Sequence, residues 1–366
     1  LTITAPLSFT RELNPDPLPT EQREAALASP GFGKVFTDHM IVIDFDEARG
    51  GWHTARLCPR GPLRLDPAAA VLHYAQEIFE GLKVYRHDSG RLALFRPEAN
   101  AARLNASARR MAMPTLPEHL FLQALGELME VDGHWFPAVS GGSIYLRPFM
   151  IATEAFLGVR PARQYKFIVI ASPVGGYFKS DAPAVSLWVS RQHVRAAPGG
   201  TGAAKTGGNY AASLIPIAEA TEHGCDQVVF LDAVERTWVE ELGGMNLFFV
   251  LADGRVITPP LTGTILPGIT RDSLITLLRD EGVAVAEEPY SIDRWRADAG
   301  SGVLSECFAC GTAAVVTPVG SVLDGEQRFT IGDGAPGPLT KRLRERLTRI
   351  QSGSAPDPYG WVTQLG

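Results

Sequence analysis

The chain has 366 residues, of which 45% are hydrophobic and 20% charged, a globular composition too long for one ordinary core and therefore expected to form two domains. A formal net charge of -6 argues against a general nucleic-acid binder, which carries a basic face. No apolar run approaches the length that spans a bilayer.

The first thirty residues are rich in proline and polar side chains and are expected to drape over the surface. Leu1 through Pro6 lack the charged-then-apolar order of a secretory signal, and a start at Leu1 rather than Met puts the expected natural start upstream. Residues 39–45 read as an apolar strand and 46–51 as a turn. The run Arg64, Leu65, Asp66, Pro67 precedes a helix through Tyr74. Two apolar stretches, 82–86 and 91–95, flank His87, Asp88, Ser89 and Gly90, a hairpin signal. Pro97 opens a helix to about 112, and Pro117 another through 129. Buried strands are expected at 143–150 and 165–172. The prolines and glycines of 173–183 then break the pattern. They set a linker at 175–186 between a small N-terminal domain, 1–174, and a larger C-terminal one, 187–366. A strand at 185–191 follows, then a helix over 210–222 stopped by His223 and Gly224. Strands are expected at 227–232, 245–252 and 314–319, and amphipathic helices at 270–281 and 338–350. Interleaved strands and helices without repeats predict an α+β or mixed α/β fold in two halves.

The most informative run is 199–210. It sets Lys205 among five glycines with no acidic neighbour in sequence. A poorly solvated lysine sheds its proton more readily, and the free amine attacks aldehydes to form a Schiff base. A lysine in a flexible surface loop is the commoner fate. A nucleotide-binding phosphate loop is the rival reading. It fails because Ala204 stands where a glycine is needed, and because Gly207, Gly208 and Asn209 resist the helix that should follow at once. Glu241 opens a second small-residue run and could face a protonated ring nitrogen. The adjacent Glu240 competes for the role, and on an extended strand only one of the two can face the site. Gly268, Ile269 and Thr270 precede a helix, whose first amides suit a phosphate or simply make a cap. Gly311, Thr312 and Ala313 read as a tight turn that could offer amides to a phosphate or a carboxylate. Arg103, Arg109 and Arg110 share one helix, and composition does not choose among them. Four cysteines are too few and too scattered for a disulfide framework, so the expected compartment is reducing, with cytoplasm the default. Cys307 and Cys310 form a C-x-x-C without the second pair that zinc would need, and read as two buried small residues.

In this order and spacing the motifs strongly resemble the branched-chain amino acid aminotransferases, pyridoxal 5'-phosphate enzymes of fold type IV. The resemblance runs from about Phe32 toward the C-terminus. It includes residues 36–40 (FTDHM), 79–83 (FEGLK), 94–97 (LFRP), 145–148 (YLRP), 205–210, 241–246, 266–271 and 311–318. It implies reversible transamination of L-leucine, L-isoleucine and L-valine with 2-oxoglutarate, giving branched-chain 2-oxo acids and L-glutamate. Lys205 would hold the cofactor's aldehyde and shuttle the proton. Arg103 would clamp the phosphate with the Ile269 and Thr270 amides, next to Gly268, and with the Thr312 hydroxyl. Arg195 would support the phosphate side, Tyr210 would bind the ring oxygen, and Glu241 would pair with the ring nitrogen. The substrate pocket would be lined by Phe32, Tyr74, Phe79, Tyr145, Tyr177 and Tyr210. The Thr312–Ala313 turn would take the α-carboxylate and Arg147 the distal carboxylate of glutamate. Leu157 and Val159 would reach the pocket of a second subunit, which implies a homodimer. Neighbouring activities of the same fold type are D-amino acid aminotransferase and aminodeoxychorismate lyase; the 79–83 and 145–148 segments favour the branched-chain branch. Mammalian members carry a redox C-x-x-C just after the Gly-Thr-Ala turn, where this chain has Ala314 and Thr317, so that switch is not expected here.

Overall fold

The computed structural model describes residues 7–175 and 184–365. The chain forms two compact units, Leu1–Tyr177 together with Ile350–Gly366, and Phe178–Arg349. The first unit contains β1 (Phe9–Arg11), α1 (Thr20–Ala28), β2 (His39–Asp46), β3 (Gly51–Pro59), α2 (Ala70–Tyr74), β4 (Glu77–Phe79), β5 (Leu82–Arg86), β6 (Leu92–Phe95), α3 (Pro97–Arg110), α4 (Glu118–Asp132), β7 (Ser143–Ala152) and β8 (Gln164–Val174). The second contains β9 (Val185–Ser190), α5 (Gly207–Ala211), α6 (Leu214–Glu222), β10 (Gln227–Leu231), β11 (Val239–Leu242), β12 (Asn246–Leu251), β13 (Val256–Thr258), α7 (Ile269–Asp280), β14 (Val285–Glu287), α8 (Ile292–Ser301), β15 (Leu304–Gly311), β16 (Val315–Asp324) and β17 (Gln327–Thr330), and most of α9 (Pro338–Gln351). Beyond α9 the chain adds β18 (Val362–Gln364) to the first unit.

The sheet of the first unit runs β1-β3-β2-β8-β7-β5-β6-β18, with β4 paired to β7. Its centre forms where the sequence is most continuously apolar: Met40, Ile41, Val42 and Ile43 of β2 lie antiparallel to Ile170, Val169, Ile168 and Phe167 of β8. Helix α4 lays Leu120, Phe121, Ala124, Leu125 and Leu128 into the same core, the one-face spacing of a 3.6-residue period. Pro97 at the first turn of α3 costs no hydrogen bond there and starts the helix where expected.

In the second unit the order is β11-β10-β9-β16-β15-β12-β13-β14, and β11 also pairs with β12. Six strands therefore close into a ring, and the closing pair is Glu241 opposite Asn246. Leu187, Val229, Leu247, Phe249, Tyr290 and Trp295 are among the side chains of its core.

Several expectations change. The first thirty residues are not all irregular, since they supply β1 and α1. Strand β3 was not foreseen beyond the turn at 46–51; it pairs with β2 along its length. The helix expected over 210–222 starts earlier, at Gly207, and is broken between α5 and α6. Tertiary contacts override the weak helix propensity of the glycines: Asn209 Nδ2 donates to the Thr201 and Ala204 carbonyls at 2.8 Å each. Pro216, which has no N–H and crowds the carbonyl four residues back, forbids one continuous helix. That early helix removes one of the two arguments against a phosphate loop; Ala204 in place of glycine stands. Residues 350–366, expected in the C-terminal domain, group with the first unit because β18 pairs with β6, so the first unit is not the smaller of the two. Most of the expected linker, 175–186, lies outside the described residues.

Candidate active site

In the second unit, Lys205 sits in the turn between β9 and α5, and its Nζ donates to Tyr210 Oη at 2.6 Å. The turn is held from beneath by Asn209, whose side chain bonds to Thr201 and Ala204. Gly202 packs so closely that a Cβ there would lie 2.4 Å from the Thr264 carbonyl oxygen, which only glycine permits. The Thr206 hydroxyl, next to the lysine, is buried without a partner.

Strand β11 is buried at all four residues, so both adjacent glutamates are taken from water, on opposite faces of the strand. Glu241 accepts at Oε1 from the Leu266 amide at 2.9 Å and lies 2.9 Å from Arg195 Nη1. Burial pushes its carboxyl up to about 7, while Arg195, the Leu266 amide and Lys205 pull it back down. Lys205 and Glu241 thus feel each other's charge. Glu240 turns to the Thr264 hydroxyl, which donates at 2.5 Å, and burial raises its carboxyl as well. Of the two rival carboxylates, the one the resemblance implied is the one paired to arginine and coupled to the lysine.

Three small-residue turns stack beside this group. A Cβ on Gly244, in the β11–β12 turn, would meet Tyr210 Cε1 at 3.5 Å, and one on Gly311 would meet the Gly244 carbonyl oxygen at 3.5 Å. Lys205, Tyr210, Glu241 and the 311–315 turn are therefore contiguous. Within that last turn lie Thr312 and Ala313, and Val315 holds φ +60°, a strained value for a β-branched residue. Helix α7 begins at Ile269 with Gly268 as its cap, a residue that has no side chain to place on the first amides. Those amides and the helix dipole form an anion cradle. Asn246 fixes the approach: its Nδ2 donates to the Leu266 carbonyl at 3.1 Å, and a Cβ on Gly268 would lie 2.0 Å from its Oδ1.

Other expected residues lie in the first unit. Arg103 forms a buried fork with Glu80, Nε to Oε1 and Nη2 to Oε2 at 2.8 Å each, and Asn100 Nδ2 donates to Glu80 at 2.8 Å. Tyr145 and Arg147, two apart on β7, share one face of the sheet. The Arg147 guanidinium lies 4.6 Å from the Phe79 ring centroid and 3.1 Å, through Nη2, from Tyr145 Oη. Its Nε is buried without a partner. Phe32 meets Tyr145 edge to face at 5.1 Å, and Gly81 makes room for the Tyr145 hydroxyl, which would lie 1.9 Å from a Cβ there. Tyr74 donates to the Leu157 carbonyl. Leu157 is 66% and Val159 88% exposed. Tyr177 lies outside the described residues.

Glu80, Thr264, Gly202 and Asn246 have tasks that the sequence does not signal: Gly202, Asn246 and Glu80 lie within the 199–210, 241–246 and 79–83 motifs, but their partners are far away in sequence. Among the described residues no His, Cys, Asp and Glu group could hold a metal ion.

The amino-transferase class IV family matches residues 77–322. The branched-chain-amino-acid aminotransferase of Mycolicibacterium smegmatis is 56% identical, over 99% of this chain and 99% of its own length. Branched-chain-amino-acid transaminase 1 of Bacillus subtilis is 49% identical, over 92% of this chain and 95% of its own. Among solved structures, the branched-chain amino acid aminotransferase of T.th. with pyridoxamine 5'-phosphate superposes with a TM-score of 0.74 at 31% identity, covering 88% of this chain and 98% of that one.

Proposed function

Since the chain belongs to the class IV aminotransferases, and within them to the branched-chain amino acid aminotransferases, we propose that Lys205 carries the cofactor and moves the substrate proton. The fold is type IV, and the enzyme uses pyridoxal 5'-phosphate. It transfers the amino group reversibly from L-leucine, L-isoleucine or L-valine to 2-oxoglutarate, giving the 2-oxo acids and L-glutamate. The observation that carries the residue assignment is Lys205 Nζ on Tyr210 Oη, within electrostatic reach of a buried Arg195–Glu241 pair.

The residues present fit the group. A nucleophilic amine, a buried carboxylate, a helix start with glycine at its cap and an unpartnered buried hydroxyl at Thr206 are the donors and acceptors that an aldehyde, a ring nitrogen and a phosphate require. When bound, the cofactor takes up the electron pair left behind as the α-proton departs. Lys205 Nζ removes that proton and returns it during the exchange. Tyr210 Oη holds Nζ in place. Glu241 keeps a proton on the ring nitrogen by accepting its hydrogen bond. The Ile269 and Thr270 amides, with the Thr312 hydroxyl, take the phosphate, and Ala313 takes the α-carboxylate. Arg103 is the proposed phosphate arginine; Glu80 fixes its guanidinium plane by two parallel bonds. Phe32, Phe79 and Tyr145 give an apolar face that suits branched side chains, while the unpartnered Nε of Arg147 suits a distal carboxylate that would otherwise be costly to desolvate.

We place the enzyme in the cytoplasm as a homodimer. The apolar, highly exposed Leu157 and Val159 are side chains a second copy would cover. Light scattering that gave a monomer mass would remove the dimer.

Borohydride reduction of the loaded protein, followed by peptide mass mapping, tests the assignment. A pyridoxyl adduct is expected on Lys205, and Lys205→Ala is expected to lose both adduct and turnover. An adduct on another side chain, or turnover retained by the alanine variant, rejects it.

A further inference from the structure

Arg195 was expected to serve the phosphate. Its formed contacts all run through Nη1 and point elsewhere, while its Nε and Nη2 are buried without a partner. The side chain is 1% exposed, and its Nη1 donates to the Thr264 carbonyl at 2.8 Å and the Gly202 carbonyl at 3.3 Å, and lies 2.9 Å from Glu241 Oε1. These partners belong to the lysine turn, the segment leading to α7, and β11, so one guanidinium ties together the three pieces that carry the site.

A carboxylate as buried as Glu241 would neutralise itself if nothing opposed its desolvation. A guanidinium does not give up its proton, so Arg195 is a fixed charge in that interior. The direct pairing is to Glu241: Glu240 takes the Thr264 hydroxyl and feels Arg195 only through its charge, and its Oε2 has no partner. We propose that Arg195 is a positioning residue that acts on the bound cofactor through Glu241, favouring the ionised form of that carboxylate and keeping it in register with the lysine turn, rather than as a phosphate ligand. The inference rests on the proposed cofactor assignment.

Pyridoxamine 5'-phosphate and pyridoxamine are the probes. Both carry the ring nitrogen, neither can condense with Lys205, and only the first has a phosphate. Their affinities are measured by equilibrium dialysis for the wild type, Arg195→Gln, Arg195→Lys, Glu241→Gln and the Arg195→Gln, Glu241→Gln double variant. Arg195→Gln is expected to weaken both ligands by a similar factor, about tenfold, and Arg195→Lys to recover part of it. In the Glu241→Gln background the further loss should be small, because residues acting through one contact are not additive. The pH at which pyridoxamine binding turns on should move upward by about one unit in Arg195→Gln. A loss confined to the phosphate-bearing ligand, or full additivity with Glu241→Gln, overturns the proposal. Wild type that binds while the arginine variants bind equally well overturns this inference alone. Wild type that binds neither probe overturns the cofactor assignment and the inference with it. If Arg195→Gln does not fold, Arg195→Lys in the two Glu241 backgrounds makes the same comparison.

Discussion

Burial holds the Glu241 carboxyl near 7, above the 4.5 it would have in water. Between those values the folded apo-protein binds a proton that the unfolded chain has released, so stability falls as pH rises through that window. The full effect is about 3 kcal/mol. Urea titrations of the apo-protein at a series of pH values should show this decline in the wild type and a flatter profile in Glu241→Gln; identical slopes would refute it. Saturating pyridoxal 5'-phosphate should flatten the wild-type profile too, because a protonated ring nitrogen favours the carboxylate. Gly202 is a second single-residue lever. A methyl there meets the backbone of Thr264, which cannot step aside as a side chain can. Gly202→Ala should therefore cost about 3 kcal/mol and weaken cofactor retention, read from thermal melts and dialysis. At this scale the sequence was legible where a residue type is odd for its surroundings, as with Lys205 among glycines. It was silent on Glu80 and Thr264, ordinary-looking residues whose roles come from partners 23 or 24 positions away.

Strand β15 carries Cys307 and Cys310, three residues apart. A strand alternates its faces every residue, so the two thiols point to opposite sides of the sheet. Phe249 and Asn246 of β12 are their respective neighbours, both cysteines are free and buried, and burial pushes both thiols up. Low thiolate content and divergent geometry both oppose oxidation. Mild peroxide should leave no Cys307–Cys310 disulfide in peptide maps of the native enzyme; such a bond, with loss of activity tracking it, would contradict the strand geometry. Apolar runs such as β2 and proline-started helices such as α3 were readable because local pattern and tertiary role agree. Strand β3 was not, since its alternation breaks at His53 and Thr54, where Thr54 takes φ +51° and the register shifts, and its pairing with β2 supplies the order. The break before α6 had its signal in Pro216, masked by the apolar spacing around it.

Two units were expected from length alone, but the route of the chain between them was not, because a three-residue strand leaves almost no trace in composition. β18 covers β6 through Val362, Thr363 and Gln364, and Trp361 packs edge to face on Phe95 with centroids 5.6 Å apart. The Arg96 guanidinium lies 5.2 Å from the Trp361 ring centroid. Truncation after Gln351 should destabilise the first unit by about 3 kcal/mol or more, through lost Trp361 burial and lost strand bonds, and bare the β6 edge to aggregation. Hydrogen exchange should quicken in β6 and remain unchanged in β9; equal protection in β6 would show that β18 is dispensable. The same strand sets an order on biosynthesis. A ribosome delivers residues 178–349 as one uninterrupted stretch before it delivers the strand that seals β6, so the half made later can mature ahead of the half made first. Until β18 emerges, the nascent N-terminal sheet waits with an open flank, and that interval is when the newborn chain most needs a chaperone's cover.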